Sequence, residues 1–439
     1  MPTRRLSLAL YNALLPLGLL FMAPAALVKM RRRHGRWQDF GQRLGFWSLP
    51  KRAALAALPP ENLIWMHAVS VGEVGVARKL ITELLKQTPA PSIVLTVTTP
   101  TGYRLAEEIE RARQGRVVAL YSPLDLPWVA RRFIHELRPR RLVLVEAEVW
   151  PNIVAQATDA GIPVTLVNAR LSPRSETRYR RFHRLVAPVF QMLTRVCVQE
   201  PEDVDRWASL GVERQRITCT GSIKYDPQGS AADPIQVQSF TDLLQTLGLA
   251  GRPLLLAASS HAGEERELAK VFQSLATRHP TLGLLIVPRH YERGPGVQAE
   301  LQALGLPALL RSQAPAGRTD VLIIDSTGEL KAWQQLATLV VIGKSFLAQG
   351  GQNPAEAVMA GKPVVFGPHM ENFKPLVSLL LSSGGAIQVA GLNELEPVLE
   401  SLLADPARRD ALAQAGRTAL MRHQGATQRT AALVPGRSD

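Results

Sequence analysis

Short apolar runs rich in β-branched residues alternate with longer amphipathic stretches from Leu63 onward. The prolines Pro127, Pro151 and Pro201 each suit the first position of a helix that follows such a run. This alternation predicts an α/β fold with a parallel, doubly wound sheet. The six predicted strands of the first half are Leu63–His67, Ile93–Thr98, Val117–Leu120, Leu142–Val145, Val164–Val167 and Val196–Gln199.

The same alternation restarts after a stretch of turn-forming residues between Asp226 and Pro234. Two α/β halves joined by a linker predict two Rossmann-like domains facing a cleft, with ligands at the carboxyl ends of the strands. We therefore divide the chain into a basic N-terminal anchor segment (1–35), a first domain (36–226), a linker (227–234) and a second domain (235–439) with a frayed tail. The strands predicted in the second half are Leu254–Ala258, Leu284–Val287, Val321–Ile324, Leu339–Ile342, Val364–Phe366 and Ala386–Val389.

An uncharged run of twenty-three residues, Leu6–Val28, precedes the first domain and is long enough to cross a bilayer. The heavier group of cations follows the run, which predicts an inner-membrane anchor with the catalytic domains on the cytoplasmic side. Pro16 and Pro24 leave open a helix that lies in one leaflet instead. The segment Ala23–Ala25 resembles a signal-peptide cleavage site, but the cations directly after the run argue against export.

The net charge of +14 is unevenly distributed, since the first 52 residues hold ten Lys or Arg and one acid. This excess predicts an anionic partner, and a membrane surface suits it. The arginine-rich stretch Arg170–Arg184 suits an acidic amphiphile or, equally, an ordinary exposed helix face. The two cysteines, Cys197 and Cys219, are predicted to be buried, inert thiols in a reducing compartment, with a disulfide as the alternative.

Acidic residues follow two predicted strands of the first domain. Glu73 falls in the first turn of the helix after the first strand, where the helix dipole favours the carboxylate that a general base requires. The alternative is that Glu73 only complements the helix N-terminus. Glu146 and Glu148 end a central strand, where they would orient a sugar, stabilise a cation or pair with an arginine.

In the second domain, Gly350–Glu356 combines two glycines with a helix start. The glycines would let backbone N–H groups approach an anion, and a carboxylate one turn into the helix would bind ribose hydroxyls; an ordinary capping box is the alternative. Arg289 and Lys344 follow two other strands and suit a phosphate. Asp203 and Asp205 form a D-x-D pattern, which we interpret as solvated helix residues facing different directions, not as metal ligands.

Taken together, nine segments resemble the 3-deoxy-D-manno-octulosonic acid (Kdo) transferases in order and spacing. The resemblance runs from the N-terminal segment to about residue 390, although Lys344 and Gln352 replace a glycine and a histidine found in many relatives. The segments are Ser70–Glu73, Thr99–Gly102, Glu146–Pro151, Asn168–Ser172, Gly221–Lys224, Val287–His290, Gly328–Leu330, Gly350–Glu356 and Gly367–Phe373.

The resemblance implies a GT-B fold and an inverting transfer of Kdo from CMP-Kdo to a lipid A precursor at the inner membrane. It implies that Glu73 is the catalytic base and that Glu146 and Lys224 stabilise the transition state. The CMP-binding residues that it implies are Pro288, Arg289, Gly328, Glu329, Asn353, Pro354, Ala355 and Glu356.

We expect no cofactor and no nucleic-acid partner. We also expect no metal ion, because a departing CMP carries less charge than a nucleoside diphosphate, so Arg289, a helix N-terminus and Lys224 would stabilise it. Two alternatives remain. One is another membrane-associated GT-B lipid glycosyltransferase that uses a UDP-sugar. The other is a basic, membrane-tethered protein that binds anionic lipid without chemistry.

Overall fold

The computed structural model describes residues 4–16, 38–171, 173–226, 232–313 and 317–434. The chain forms two compact units. The first unit comprises Met1–Asp226 together with Gly425–Asp439, and the second comprises Pro227–Gln424.

The first unit contains seven parallel strands in the order β3-β2-β1-β4-β5-β6-β7. Their apolar side chains are buried on both faces of the sheet, as the continuous apolar runs require. The six predicted strands are confirmed with small shifts at their ends, and β7 is an additional edge strand. The strands are β1 Leu63–Ala68, β2 Ser92–Val97, β3 Val117–Tyr121, β4 Arg141–Val145, β5 Val164–Ala169, β6 Arg195–Val198 and β7 Ile217–Cys219.

Helices cover both faces of this sheet, and several begin at the predicted prolines. They are α1 (residues 4–16), α2 Gln38–Arg43, α3 Leu49–Ala56, α4 Val71–Leu84, α5 Pro100–Ala112, α6 Pro127–Leu137, α7 Pro151–Asp159, α8 Pro173–Arg181, α9 His183–Phe190 and α10 Pro201–Ser209.

The second unit repeats the plan with seven parallel strands in the order β10-β11-β9-β8-β12-β13-β14. All six predicted strands are present, and β10 is a short addition at the edge. The strands are β8 Leu254–Ser260, β9 Gly283–Pro288, β10 Leu309–Leu310, β11 Val321–Ile323, β12 Leu339–Ile342, β13 Val364–Phe366 and β14 Ile387–Gln388. The helices are α11 Pro234–Thr246, α12 Glu264–Arg278, α13 Gly294–Ala303, α14 Leu330–Leu336, α15 Ala355–Met359, α16 Lys374–Ser382, α17 Leu392–Ala404 and α18 Pro406–Met421.

Each sheet has a position where the chain connections leave in opposite directions. In the first unit this position lies between β1 and β4, and in the second unit it lies between β8 and β12. Open α/β sheets bind ligands beside the carboxyl ends of such strand pairs, where the diverging connections leave a crevice. The residues that follow these four strands are therefore the first candidates for chemistry in each unit.

The C-terminal segment differs from its prediction. It forms a helix, α19 Ala426–Ala432, and this segment belongs to the first unit, so both the frayed tail and its assignment to the second domain are wrong. The carboxylate of Asp226 accepts the backbone N–H groups of Gly425 at 3.0 Å and Thr427 at 2.6 Å, which caps the helix. Its capping partner lies about two hundred residues away in sequence, so no local pattern predicts this helix.

Helix α1 covers the first part of the predicted anchor, while residues 17–28 of Leu6–Val28 lie outside the described residues. Among the described helices, none is both long and apolar enough to cross a membrane. The polar side of α1 packs on the first unit, where Asn12 Oδ1 accepts a hydrogen bond from Asn152 Nδ2 at 2.7 Å. Three leucines on α1 are exposed to solvent, Leu6, Leu10 and Leu14.

Two smaller predictions also require correction. Cys197 is buried, but Cys219 is exposed because it ends the edge strand β7; both thiols are free. Asp203 is buried and pairs with Arg206 at 2.8 Å, so it is not solvated, whereas Asp205 is exposed as predicted.

Candidate active site

Glu73 lies directly after β1, in the first turn of α4, and its side chain is buried. Its carboxylate accepts the backbone N–H of Val69 at 2.7 Å and the hydroxyl of Ser70 at 2.8 Å. Ser70 in turn is the N-cap of α4, so the local capping role considered from the sequence is real. Each carboxylate oxygen retains a second lone pair, however, and so remains able to accept a proton.

The environment of Glu73 favours proton exchange near neutral pH. Burial raises the pKa of Glu73 from 4.5 to about 7, against the effect of the hydrogen bonds from Val69 and Ser70, while the charges of Glu148 and Glu146 add to the rise. A pKa near 7 is suited to a general base, because it balances ionisation against proton affinity. Glu73 is therefore both a helix-capping group and a credible base.

Glu146 follows β4 with a left-handed backbone, φ 62°. This conformation is unfavourable for a residue with a long side chain and occurs mainly where surrounding structure enforces it. Burial raises the pKa of the half-buried Glu146 carboxyl, while the charges of Lys224 and Arg170 and a hydrogen bond with Asn168 act in the opposite direction. The strained backbone thus places a carboxylate close to two cations at the carboxyl edge of the sheet.

Asn168 was not identified from the sequence as a separate candidate, yet it connects the parts of this site. It lies in β5 with a left-handed φ of 53°, which asparagine tolerates better than most residues. Its side-chain Oδ1 accepts the backbone N–H of Ile223 at 2.9 Å. The loop that carries Lys224 is therefore fixed to the strand next to Glu146.

A second support for this loop comes from helix α4. The ammonium group of Lys79 donates to the carbonyl oxygens of Ile223 at 3.1 Å, Lys224 at 3.2 Å and Asp226 at 3.1 Å. Lys79 thus satisfies three carbonyl groups of one tight turn. The sequence does not reveal this role, because Lys79 precedes its partners by more than 140 residues.

His67 is not part of the candidate chemistry. Its ring lies within hydrogen-bond distance of Thr96 Oγ1 at 3.0 Å and Ser122 Oγ at 3.3 Å, and it is fully buried in β1. Burial lowers the pKa of His67 to about 4, so the ring is neutral at physiological pH. His67 is therefore a structural residue of the strand.

In the second unit, Pro288 and Arg289 lie at the end of β9, beside the end of β8. Pro288 is buried, whereas the Arg289 side chain is exposed and its backbone N–H donates to the carbonyl of Ser260 at 2.9 Å. The arginine thus projects from a fixed backbone at the edge where ligands bind.

Gly328 and Glu329 precede α14. Gly328 has φ 80°, which requires glycine for an unstrained turn, and it is exposed. Glu329 accepts a hydrogen bond from Trp333 Nε1 at 3.2 Å and lies 3.7 Å from Arg311 Nε. Part of the hydrogen-bonding capacity of the Glu329 carboxylate is therefore used within the protein.

The glycine pair differs from its prediction. The N–H of Gly350 donates to Glu371 Oε2 at 2.6 Å and that of Gly351 to the carbonyl of Lys344 at 3.0 Å, so neither is directed at an external anion. Both residues have positive φ values, 110° and 65°. A Cβ on Gly351 would lie 2.4 Å from Met370 Sδ, so the glycine allows close packing against the Gly367–Phe373 segment.

The predicted helix start after the glycines is present. Pro354 occupies the N-cap position of α15, which extends over only five residues from Ala355 to Met359. Asn353 is exposed, and its Oδ1 accepts the N–H of Ala355 at 3.1 Å. Glu356 lies half-buried in the first turn, as predicted, with an acidic group available for hydroxyl groups of a ligand.

Each unit thus gathers its own candidate residues at the carboxyl edge of its sheet. The first unit holds the buried Glu73 and, close to Lys224, Glu146; the second holds Arg289, Lys344 and a helix start with the carboxylate of Glu356. Within the described ranges, no group of three or more His, Cys, Asp or Glu side chains is arranged to hold a metal ion.

Comparison with known proteins gives a consistent result. A family model described as 3-deoxy-D-manno-octulosonic-acid transferase matches residues 38–227. A 3-deoxy-D-manno-octulosonic acid transferase from Haemophilus influenzae is 33% identical over 422 residues, which cover 95% of this chain and 95% of that protein. A protein of the same description from Bordetella pertussis is 34% identical over 413 residues, covering 92% of each.

Solved structures resemble this chain across both units. A UDP-GlcNAc 2-epimerase from Neisseria meningitidis, in complex with UDP-GlcNAc, covers 85% of this chain and 99% of its own with a TM-score of 0.53. Its sequence is 13% identical, so the similarity concerns the fold alone. The α/β architecture with two parallel sheets agrees with the predicted fold class.

Proposed function

The chain belongs to the family of Kdo transferases, and on this basis we propose that it transfers Kdo from CMP-Kdo to a lipid A precursor in lipopolysaccharide synthesis. An acceptor hydroxyl attacks the anomeric carbon of Kdo and loses its proton to the enzyme. The bond from that carbon to the phosphate oxygen breaks, and CMP leaves. Attack from the face opposite the leaving group inverts the anomeric centre.

The observation that carries the proposal is the position and environment of Glu73. This carboxyl group follows β1 at the crevice position of its sheet, and burial raises its pKa to about 7. Its hydrogen bonds from Val69 and Ser70 fix its orientation. We assign Glu73 as the base that accepts the proton of the acceptor hydroxyl.

Glu146 and Lys224 are assigned to stabilise the transition state. Breaking the bond to CMP develops positive charge on the sugar and negative charge on the phosphate, so a fixed carboxylate and a fixed ammonium group each oppose one of these charges. The left-handed backbone of Glu146 and the loop contacts from Asn168 and Lys79 support rigid placement.

The second unit is assigned to bind CMP. Arg289 is proposed to contact the phosphate, and Glu356 is proposed to bind the ribose hydroxyls. Pro288, Gly328, Glu329, Asn353, Pro354 and Ala355 are proposed to line the nucleotide site.

Membrane association is proposed for the N-terminal region. The exposed residues Leu6, Leu10 and Leu14 recur every four positions and form one stripe on α1, while the opposite side packs on the protein. Apolar side chains on an exposed helix face insert favourably into the interfacial region of a bilayer. The cations that follow the predicted anchor, Arg31–Arg36, would add attraction to an anionic leaflet.

The decisive experiment is mass analysis of the products formed from CMP-Kdo and a lipid A precursor by the wild-type protein and by Glu73→Gln. Wild type should add Kdo, and the variant should lose at least roughly 10²-fold in kcat while it retains CMP affinity. A wild-type protein that forms no Kdo adduct but uses a UDP-sugar would overturn the proposal. Normal turnover by Glu73→Gln would overturn the assignment of the base.

A further inference from the structure

A lysine occupies a strained backbone position at the crevice of the second sheet. Lys344 lies two residues after the end of β12 and has φ 55°. Ser259, near the end of the neighbouring β8, has φ 56°. The ends of β12 and β8 approach each other closely at Gly343, where an added Cβ would lie 2.4 Å from Ser260 Cα. A left-handed conformation costs a lysine more than it costs a glycine.

The surrounding structure fixes this conformation. The fully buried carboxylate of Glu264 accepts the N–H of Lys344 at 2.6 Å and that of Phe346 at 3.0 Å. The carbonyl of Lys344 accepts the N–H of Gly351 at 3.0 Å. Because both sides of its peptide backbone are held, the half-buried side chain of Lys344 starts from a rigid point at the crevice.

The cations at this edge of the sheet fall into two groups. Arg293 pairs with Glu265 at 2.6 Å, and Arg311 lies 3.7 Å from Glu329. Lys344 and Arg289, in contrast, form no ion pair with any residue that the structure describes. The backbone N–H groups of the glycine pair are used internally, so they do not compete with these two side chains for an anionic ligand.

We propose that Lys344 is a donor-binding residue that contacts an anionic group of the sugar nucleotide, either its phosphate or the carboxylate of its acid sugar. This inference rests on the proposed use of CMP-Kdo. The strain at Lys344 is then retained for binding, since a glycine would fit the backbone better but carry no charge. Lys344 would thus be a second cation in the proposed binding site for the sugar nucleotide, in addition to Arg289.

Because the backbone of Lys344 is strained, replacing this residue with glycine should change stability and donor affinity in opposite directions. Lys344→Gly should raise Tm by about 2–4 °C, because it relieves the left-handed backbone in a unit of about two hundred residues. The same variant should raise the Kd for CMP or the KM for CMP-Kdo by roughly 5- to 20-fold, through loss of a charge-assisted contact. A gain in stability together with a loss of affinity excludes unfolding as the cause.

Two further variants control the comparison. Lys344→Met keeps the strain and the aliphatic chain but removes the charge, so affinity should fall while Tm stays near that of wild type. Arg138→Gly is the matched control, since Arg138 is an exposed cation with φ 46° at the end of α6, on the opposite edge of the first sheet. It should raise Tm without changing donor affinity.

Binding measured with cytidine, CMP and CMP-Kdo identifies the anionic group. If Lys344 contacts the phosphate, Lys344→Met weakens CMP but not cytidine; if it contacts the sugar carboxylate, only CMP-Kdo is affected. Wild-type affinity for both CMP and CMP-Kdo in Lys344→Gly and Lys344→Met would overturn the inference. A wild-type protein that binds neither CMP nor CMP-Kdo would instead overturn the proposed function.

Discussion

Asn168 accepts the backbone N–H of Ile223 at 2.9 Å, so a strand of the first sheet holds the loop that precedes Asp226, the last residue of the first unit before the second unit begins. The same loop carries Lys224, whose charge opposes the raised pKa of Glu146. A residue in β5 therefore controls the relative positions of two groups assigned to the reaction. This arrangement leads to predictions about residues that do not contact the substrate.

Lys79 is predicted to be a positioning residue for Lys224. Lys79→Met removes three hydrogen bonds to the carbonyl oxygens of the Lys224 loop and should lower kcat by roughly tenfold, while CMP affinity, a property of the second unit, stays unchanged. Lys79→Arg should restore part of the rate. Steady-state kinetics and a CMP titration provide the measurement.

Lys86→Met is the matched control for that change, because Lys86 follows the same helix but forms only an exposed pair with Glu83. It should have wild-type kinetics. An equal loss of kcat in both variants, or an unchanged kcat in Lys79→Met, would contradict the positioning role.

The pH dependence of kcat/KM should report the ionisation of Glu73. A general base must be deprotonated, and the pKa of Glu73 is raised to about 7, so the rate should fall about tenfold per pH unit below that value. The residual activity of Glu73→Gln should lack this limb. A wild-type rate that stays constant from pH 5 to 8 would exclude Glu73 as the base.

Glu73 should also affect stability in a pH-dependent manner. Its folded-state pKa of about 7 exceeds the ordinary value of 4.5 for a glutamate, so its contribution to stability is fully present below pH 4.5 and is lost as pH rises through 7. Glu73→Gln avoids burial of the charged form, so the Tm of the variant relative to wild type should increase across this range. Thermal melts of both proteins between pH 4.5 and 8 measure this difference in Tm. A difference that stays constant with pH would show that ionisation of Glu73 does not destabilise the folded protein.

Arg289→Ala is expected to weaken CMP binding by about 1.5–3 kcal/mol, as expected for a hydrogen bond to a charged group. Glu356→Ala should also weaken CMP, through the ribose. Arg278→Ala serves as the control, because Arg278 belongs to the same unit but pairs with Glu396 and Glu400. Calorimetric titration that shows wild-type CMP affinity in both Arg289→Ala and Glu356→Ala would move the nucleotide site elsewhere.

The leucine stripe of α1 is expected to support activity only at membranes. Replacement of Leu6, Leu10 and Leu14 by serine should lower activity on acceptor held in anionic vesicles and make it more sensitive to salt. Activity on detergent-dispersed acceptor should persist. Substitution is preferable to deletion, since deletion also removes the hydrogen bond between Asn12 and Asn152.

The exposed Ile235 of the second unit provides a control for surface hydrophobicity. Ile235→Ser should behave as wild type on vesicles and in detergent. If the triple leucine variant works as well as wild type on vesicles at low and high salt, the stripe has no role in membrane association.

Sequence patterns predicted the strands well, because continuous apolar runs bounded by turn residues leave few alternatives to a buried parallel strand. They placed Glu73 and Arg289 correctly, since chain order alone puts the residue after a strand at the carboxyl edge. They failed for the glycine pair and for α19. In both cases the hydrogen-bond partners, such as Glu371 and Asp226, lie too far away in sequence for a local pattern to reveal them.

The return of α19 to the first unit makes the second unit an insertion between Asp226 and Gly425. During synthesis, the first unit therefore remains without its final helix until the whole second unit has left the ribosome. The capping carboxylate of Asp226 has to await Gly425 and Thr427, which are translated about two hundred residues later. Completion of the unit that holds Glu73 thus depends on full-length translation, and a chain truncated before Gly425 would carry every assigned catalytic residue on an unfinished scaffold.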